Sequence, residues 1–315
     1  MTDRSRPYPF RFGVLAGGAP TPDAWRALAR RVEDIGYCSL LFPDHLGNDW
    51  GPFTALTVAA EHTTALTLGT LVQAVDLRQP VVQYKELATL DLISGGRTEI
   101  GLGAGWFGQD FTRAGITMDP PATRIERLAE AAVILRELWT KGSCTFDGRH
   151  FSVAQAVGEP RPVKGDPLIT MGGGGRLMLR TAARHADIVN LSASQAAGTK
   201  GSSFGATATA EHFDERARWI RTWTADRPAP PELQCLVFAA AITPDASRYA
   251  AGVLRRMFGL PAEQALRSPL ALVGTVDEVC ALLIERRERF GISYWVLDSR
   301  HAEQFAPVVE SLVGT

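Results

Sequence analysis

The chain has 315 residues, 45% of them hydrophobic and 21% charged, and a net charge of −1. That is enough apolar content for a large core without staples, and no basic block marks a nucleic-acid or membrane-surface partner. The longest aliphatic runs, such as Leu236 to Ile242, are too short to span a bilayer, and the N-terminus lacks the apolar stretch of a signal peptide.

In chain order, Arg11 to Ala16 reads as a strand that stops at Gly17-Gly18. Thr21 caps the next helix, with Pro22 at its first position and Gly36 at its end. Ser39 to Phe42 is a second strand leading into Pro43-Asp44-His45, and Pro52 to His62 is helical. Leu66 to Val72 is a third strand. Pro80 to Ile93 is a helix closed by Gly95-Gly96, and Arg97 to Leu102 is the fourth strand. Thr123 to Trp139 is amphipathic: Ile125, Leu128, Ala132, Leu135 and Leu138 share one face, and Arg127, Glu130 and Arg136 the other. Phe146 to Phe151 is a hairpin turning at Asp147-Gly148.

Pro167 to Met171 is the fifth strand, ending in Gly172, Gly173, Gly174 and Gly175. Arg176 to His185 is a helix, and Asp187 to Leu191 the sixth strand. Ser192 to Thr209 is rich in Ser, Ala, Gly and Thr and reads as a mobile loop, long enough for a lid. Glu211 to Trp223 is helical, and Leu233 to Ile242 the seventh strand. Two short helices follow, near 245–258 and 261–266. Thr275 to Phe290 is a helix with a Thr275–Glu278 capping box; Ile292 to Leu297 is the eighth strand, and Phe305 to Leu312 the closing helix.

Gly103-Ala104-Gly105-Trp106-Phe107-Gly108 matches the G-x-G-x-x-G dinucleotide fingerprint. That fingerprint requires the third glycine to open a helix near the start of a βαβ unit. Here a short stretch breaks at Gly115, and the next helix is expected only near Pro121. Eight apolar strands alternating with helices point to one (β/α)8 barrel domain over 1–315; an open doubly wound sheet is the alternative. In a barrel the strand C-terminal ends carry the site, and Asp44-His45, Leu71 to Gln73, Gly103 to Trp106 and Gly172 to Gly175 all fall there.

The four glycines before a helix suit a phosphate, with Arg176 and Arg180 adding charge. They equally suit a flexible turn. His45 suits acid/base work or hydrogen bonding to a ring atom, and equally a structural role bonded to Asp44. Trp50 and Trp106 suit the walls of an aromatic substrate pocket. The remaining histidines are scattered, and no metal-ligand spacing occurs. Cys38, Cys144, Cys235 and Cys280 are widely separated. Cys38, Cys235 and Cys280 lie in apolar patterns and are expected as buried thiols, in keeping with a reduced, cytoplasmic setting.

Several blocks together resemble the bacterial luciferase-like family, in its F420-dependent oxidoreductase branch. They are Leu68 to Val72, Pro80, Lys85-Glu86, Ala88 to Asp91, Ser94 to Arg97, Gly101 to Trp106, Arg124 to Leu128, Phe146 to Phe151, Pro160 to Pro162 and Gly172 to Gly175. The resemblance implies a (β/α)8 barrel, F420 or FMN across the strand ends, and hydride transfer to or from a small organic substrate. It places His45 beside the deazaflavin as the catalytic residue. The implied cofactor-binding set is Asp44, His45, Leu71, Val72, Gly103, Ala104, Gly105, Gln109, Gly172, Gly173, Gly174 and Gly175. It also implies a cis peptide at Leu71–Val72.

Trp106 replaces the glutamate of the sugar-phosphate dehydrogenase branch, and Gly17 to Pro20 lacks that branch's acidic residue. A reductase of an apolar or conjugated substrate fits better. Three functions stay open: an F420-dependent oxidoreductase, an FMN-dependent monooxygenase using molecular oxygen, and a non-catalytic cofactor-binding barrel. A homodimer is compatible with each.

Overall fold

A computed structural model describes residues 8–47, 49–195 and 202–315. Eight parallel strands form a closed barrel ringed by helices. The strands are β1 (Arg11–Leu15), β2 (Ser39–Phe42), β3 (Thr67–Thr70), β4 (Thr98–Gly103), β5 (Leu168–Gly173), β6 (Ile188–Leu191), β7 (Glu232–Leu236) and β8 (Ile292–Asp298). The chain divides into two compact units. One comprises the described residues up to Leu15 with Asp34–Cys38 and Gly172–Thr315; the other comprises Ala16–Glu33 and Ser39–Met171.

In the second unit β2 pairs with β3, β3 with β4 and β4 with β5, all parallel. Glycine lets these backbones close up. A Cβ on Gly69 would lie 2.3 Å from the Glu99 carbonyl oxygen, and one on Gly101 1.8 Å from that of Thr70. Three helices begin with proline at their first position, as the fixed φ of that residue favours: α1 (Pro22–Ile35), α2 (Pro52–Glu61) and α3 (Pro80–Ser94). Thr21 Oγ1 accepts from Ala24 N at 3.2 Å at the head of α1. Trp25, Ala29 and Val32 of α1 are buried, each large side chain contributing about 1.5–3 kcal/mol.

The short helix α4 (Gly108–Ala114) precedes α5 (Pro121–Lys141). Gly108 therefore does open a helix, contrary to the sequence expectation; Gly115, at φ 68°, ends it after two turns. The closed barrel, and not this local feature, excludes the dinucleotide fold. Leu128, Ala132, Leu135 and Leu138 of α5 are buried as their spacing requires. Two residues expected on its solvent face have partners. Arg127 bonds Asp119 Oδ2 at 2.6 Å and also pairs with Asp76, while Glu130 accepts from the backbone N of Arg149, His150 and Phe151 at 2.8–3.0 Å. Glu130 thereby pins the hairpin Ser143–Asp147/Ser152–Val157, whose turn closes with Gly148 N to Phe151 O at 2.9 Å.

In the first unit β6 pairs with β7, β7 with β8 and β8 with β1. The expected seventh strand is two strands. β7 stops at Leu236, and Ala239–Ile242 leaves to pair in parallel with Ala271–Gly274, a strand the sequence reading missed. An unbroken apolar run carries no period that would mark the departure. Helices α6 (Arg176–His185), α7 (Ser202–Ala206) and α8 (Ala210–Trp223) follow the β5 and β6 ends.

The segment Ser192 to Thr209 is not a featureless loop among its described residues: α7 lies within it, Phe204 and Ala208 are buried, and Thr209 caps α8. Residues 196–201 lie outside the described residues, so the lid expectation falls largely on them. The cysteine expectation also changes. Cys235 and Cys144 are the buried thiols, pushed up to about 12 and about 11 by burial, and Cys38 and Cys280 are half-buried. No helix among the described residues is long and apolar enough to cross a membrane.

Candidate functional site

Three strand ends in the second unit build a polar–aromatic cluster. After β2 the chain carries Asp44 and His45. His45 Nδ1 lies 2.6 Å from Asp110 Oδ2 on α4, and Asp110 Oδ1 accepts from Leu46 N at 2.9 Å. An ionised carboxylate only accepts, so the His45 proton sits on Nδ1 and Nε2 is left for exchange when the ring is neutral. The expected partner was Asp44. That carboxylate is instead fully engaged by Arg78, at 2.5 and 3.1 Å, and it is buried. Arg78 also lies 3.3 Å from Glu86 Oε2. Asp44 thus anchors the loop, and Asp110, 65 residues from His45 in sequence, orients the ring.

The His45 ring meets Trp106 and Phe107 edge-on, with centroids 5.8 and 5.7 Å apart. Its side chain stays 35% exposed, so the ring is held but reachable. Trp106 therefore does join the cluster. Trp50 does not share this contact: its ring packs on Gly18 and lies 6.1 Å from Trp25, and its N donates to Gly17 O at 3.0 Å.

After β3, Leu71 N donates to Phe42 O at 2.9 Å, and the Leu71–Val72 peptide is cis, as the resemblance implied. Val72 stands against β4: a Cβ on Gly103 would lie 2.4 Å from Val72 Cγ2. A Cβ on Gly105, at φ 67°, would meet Phe111 at 2.7 Å. The sequence reading took these glycines as room for a ligand. The structure gives them a reason inside the protein, the close approach of Val72 and Phe111. Ala104 and Gly105 remain half-buried and Gln109 is exposed.

Arg124 of α5, unnoticed as a site residue in the sequence, holds this turn from behind. Its Nε donates to Asp119 O at 2.8 Å and its Nη1 to Ala104 O at 2.9 Å and to Gly105 O. Burial lowers its pKa, and the charge of Asp119 opposes that. Asp49, also unnoticed, is raised above the usual aspartate range by burial; the His45 charge pulls it down and Asp110 pushes it up.

In the first unit, Gly172 to Gly175 lead into α6. Gly173 O accepts from Ser192 N at 3.2 Å, and Gly174 O from Arg216 Nε at 3.1 Å. A Cβ on Gly172 would lie 2.1 Å from Asn190 O and one on Gly174 2.4 Å from Ala193 C, so both are fixed by packing. Gly175 differs: it is exposed, a Cβ there meets nothing within 4 Å, and no side chain caps α6. The first amides of a ten-residue helix are open to an anion. Arg176 lies over the Trp219 ring at 5.7 Å. No group of three or more His, Cys, Asp or Glu among the described residues is arranged to hold a metal.

A closed parallel barrel bearing such strand ends defines a class, and residues 8–217 match the luciferase-like monooxygenase family model. The chain belongs to that family. It is 32% identical over 168 residues to an F420-dependent glucose-6-phosphate dehydrogenase of Intrasporangium calvum, covering 50% of each chain. It is 33% identical over 137 residues to the pyrimidine monooxygenase RutA of Pseudomonas savastanoi, covering 43% of this chain and 38% of that one. The match thus spans half or less of these curated relatives. Among solved structures, the F420-dependent tetrahydromethanopterin reductase of Methanopyrus kandleri superposes with a TM-score of 0.76 at 20% identity, over 98% of this chain and 99% of that one. The long-chain alkane monooxygenase LadA gives 0.76 at 14% identity, over 99% and 92%. Both structures share the fold.

Proposed function

We propose that the protein is an F420-dependent oxidoreductase acting on a small organic substrate. The observation that carries the reading is the His45–Asp110 pair at 2.6 Å, set edge-on against Trp106 and Phe107 beside the β4 glycine turn. Similarity to an F420-dependent dehydrogenase over half the chain supports the cofactor choice. The residues present fit such a group: a half-buried backbone turn at Ala104-Gly105 for the ring, and the uncapped α6 start at Gly175 for a phosphate.

Bound F420 would supply hydride chemistry, because deazaflavin carries carbon where flavin has N5. The chain's own groups then bind, orient and manage one proton. Asp110 fixes the His45 ring through Nδ1 and leaves Nε2 as the exchanging atom. Asp44, held by Arg78, fixes the loop that carries His45. Trp106 and Phe107 give the substrate side an apolar wall, which favours a conjugated or apolar reductase substrate over a sugar phosphate.

Titration of the purified protein separately with F420 and with FMN, followed by absorbance and fluorescence, tests this. F420 binding with weak or no FMN binding is expected. Tight FMN binding without F420 binding would overturn the cofactor assignment in favour of the monooxygenase reading that the RutA similarity supports.

A further inference from the structure

We propose that Asp49 is the second carboxylate of the His45 centre, a positioning residue whose charge governs the charge carried by the His45 ring. This rests on the reading of His45 as the group that handles the proton.

The first observation is steric. The loop after β1 has no side chain at Gly17, and the Asp49 carboxylate occupies the space one would take. A Cβ on Gly17 would lie 2.2 Å from Asp49 Oδ1, 2.7 Å from its Cγ and 3.3 Å from Pro43 Cγ. Trp50 N, bonded to Gly17 O at 3.0 Å, ties the neighbouring residue to the same backbone. Glycine at 17 is therefore what lets the carboxylate in.

The second observation is how differently the three carboxylates here are engaged. Both oxygens of Asp44 are taken by Arg78, and both of Asp110 by His45 Nδ1 and Leu46 N. Asp49 accepts no hydrogen bond from the described residues and is half-buried. A carboxylate fixed by strong donors stays ionised, whereas one without them changes charge at far lower cost.

Its charged surroundings are few. His45 is the cation and Asp110 the anion whose fields reach it. Arg78 is committed to Asp44 and Glu86. Arg113 of α4 reaches the same loop at Gly47, where a Cβ would lie 3.4 Å from its Nη1. Burial holds the Asp49 proton to higher pH than usual, Asp110 reinforces that, and a charged His45 opposes it. When Asp49 ionises, an imidazolium at His45 sits between two carboxylates; when Asp49 is protonated, only Asp110 remains to favour it.

The coupling is reciprocal, so it can be read on Asp49 itself. Carboxyl carbon NMR of the full-length protein without cofactor, with Asp49 assigned through Asp49→Asn, gives the titration directly. Asp49 is expected to titrate above an ordinary aspartate. His45→Gln should move its midpoint upward, and Asp110→Asn, which removes an anion, should move it downward. Opposite signs are not what a merely structural carboxylate would give. A midpoint in the ordinary aspartate range, or one unmoved by both substitutions, would overturn the proposal. The F420 titration is independent of this: failure to bind F420 ends the cofactor reading and leaves the carboxyl measurement standing.

Discussion

Replacing Arg124 should separate the support of the glycine turn from its chemistry. The guanidinium is buried and makes hydrogen bonds to three carbonyls, those of Asp119, Ala104 and Gly105, with Phe111 beneath it at 5.7 Å. Hydrogen bonds from a charged donor contribute about 1.5–3 kcal/mol each, but they are not additive. Arg124→Met keeps most of the aliphatic stem and removes every donor. Ala104 and Gly105 are only half-buried, so water recovers part of the loss. The expected net cost is therefore about 2–4 kcal/mol and not the full sum. In a thermal melt this is a fall of roughly 5 °C or more. Arg124→Lys keeps the charge, but its single ammonium replaces a planar fork, so an intermediate fall is expected. Amide hydrogen exchange over 104–108 should accelerate in the Met variant before the rest of the chain changes. A Met variant that melts within about 1 °C of the parent would refute the account, because a buried fork that size cannot be lost at no cost.

A Cβ on Gly101 meets the Thr70 carbonyl and one on Gly175 meets nothing, so Gly101→Ala should cost about 3 kcal/mol or prevent folding. Gly175→Ala should leave the melt nearly unchanged and weaken F420 binding, as measured by fluorescence titration. His45→Ala should retain the circular dichroism spectrum and lose about 10²–10⁴-fold in turnover, the usual range for a positioned acid or base; normal turnover on the true substrate would end its assigned role. Glu33 accepts from the backbone N of Thr64, Ala65 and Leu66. Burial raises its pKa, but those bonds and the Arg97 charge outweigh burial and hold it below the usual value. A lowered folded-state pKa gives stability that is complete above the unfolded value of about 4.3 and lost as pH falls through the folded one. Glu33→Gln should therefore melt below the parent at pH 7, with the gap closing in acid, as melts across that range would show.

The sequence by itself determined most of the barrel. Proline at the first position of α1, α2 and α3, glycine after α1, α3 and α5, and the apolar faces between them are local signals that survive folding, because each acts within one or two turns. The positions of His45 and Trp106 at strand ends were legible for the same reason. Only the tertiary structure decided what those residues touch. Asp44 and His45 are adjacent in sequence, yet one belongs to Arg78 and the other to Asp110, a choice made by where α4 lands. Gly17 and Asp49 are far apart along the chain, and neither alone indicates that one makes room for the other. The break after Leu236 was likewise invisible, since an apolar run has the same composition on either side of a change of partner strand. Periodicity records which face is buried; it holds no record of what lies across the gap, and at this site the partners across the gap set the chemistry.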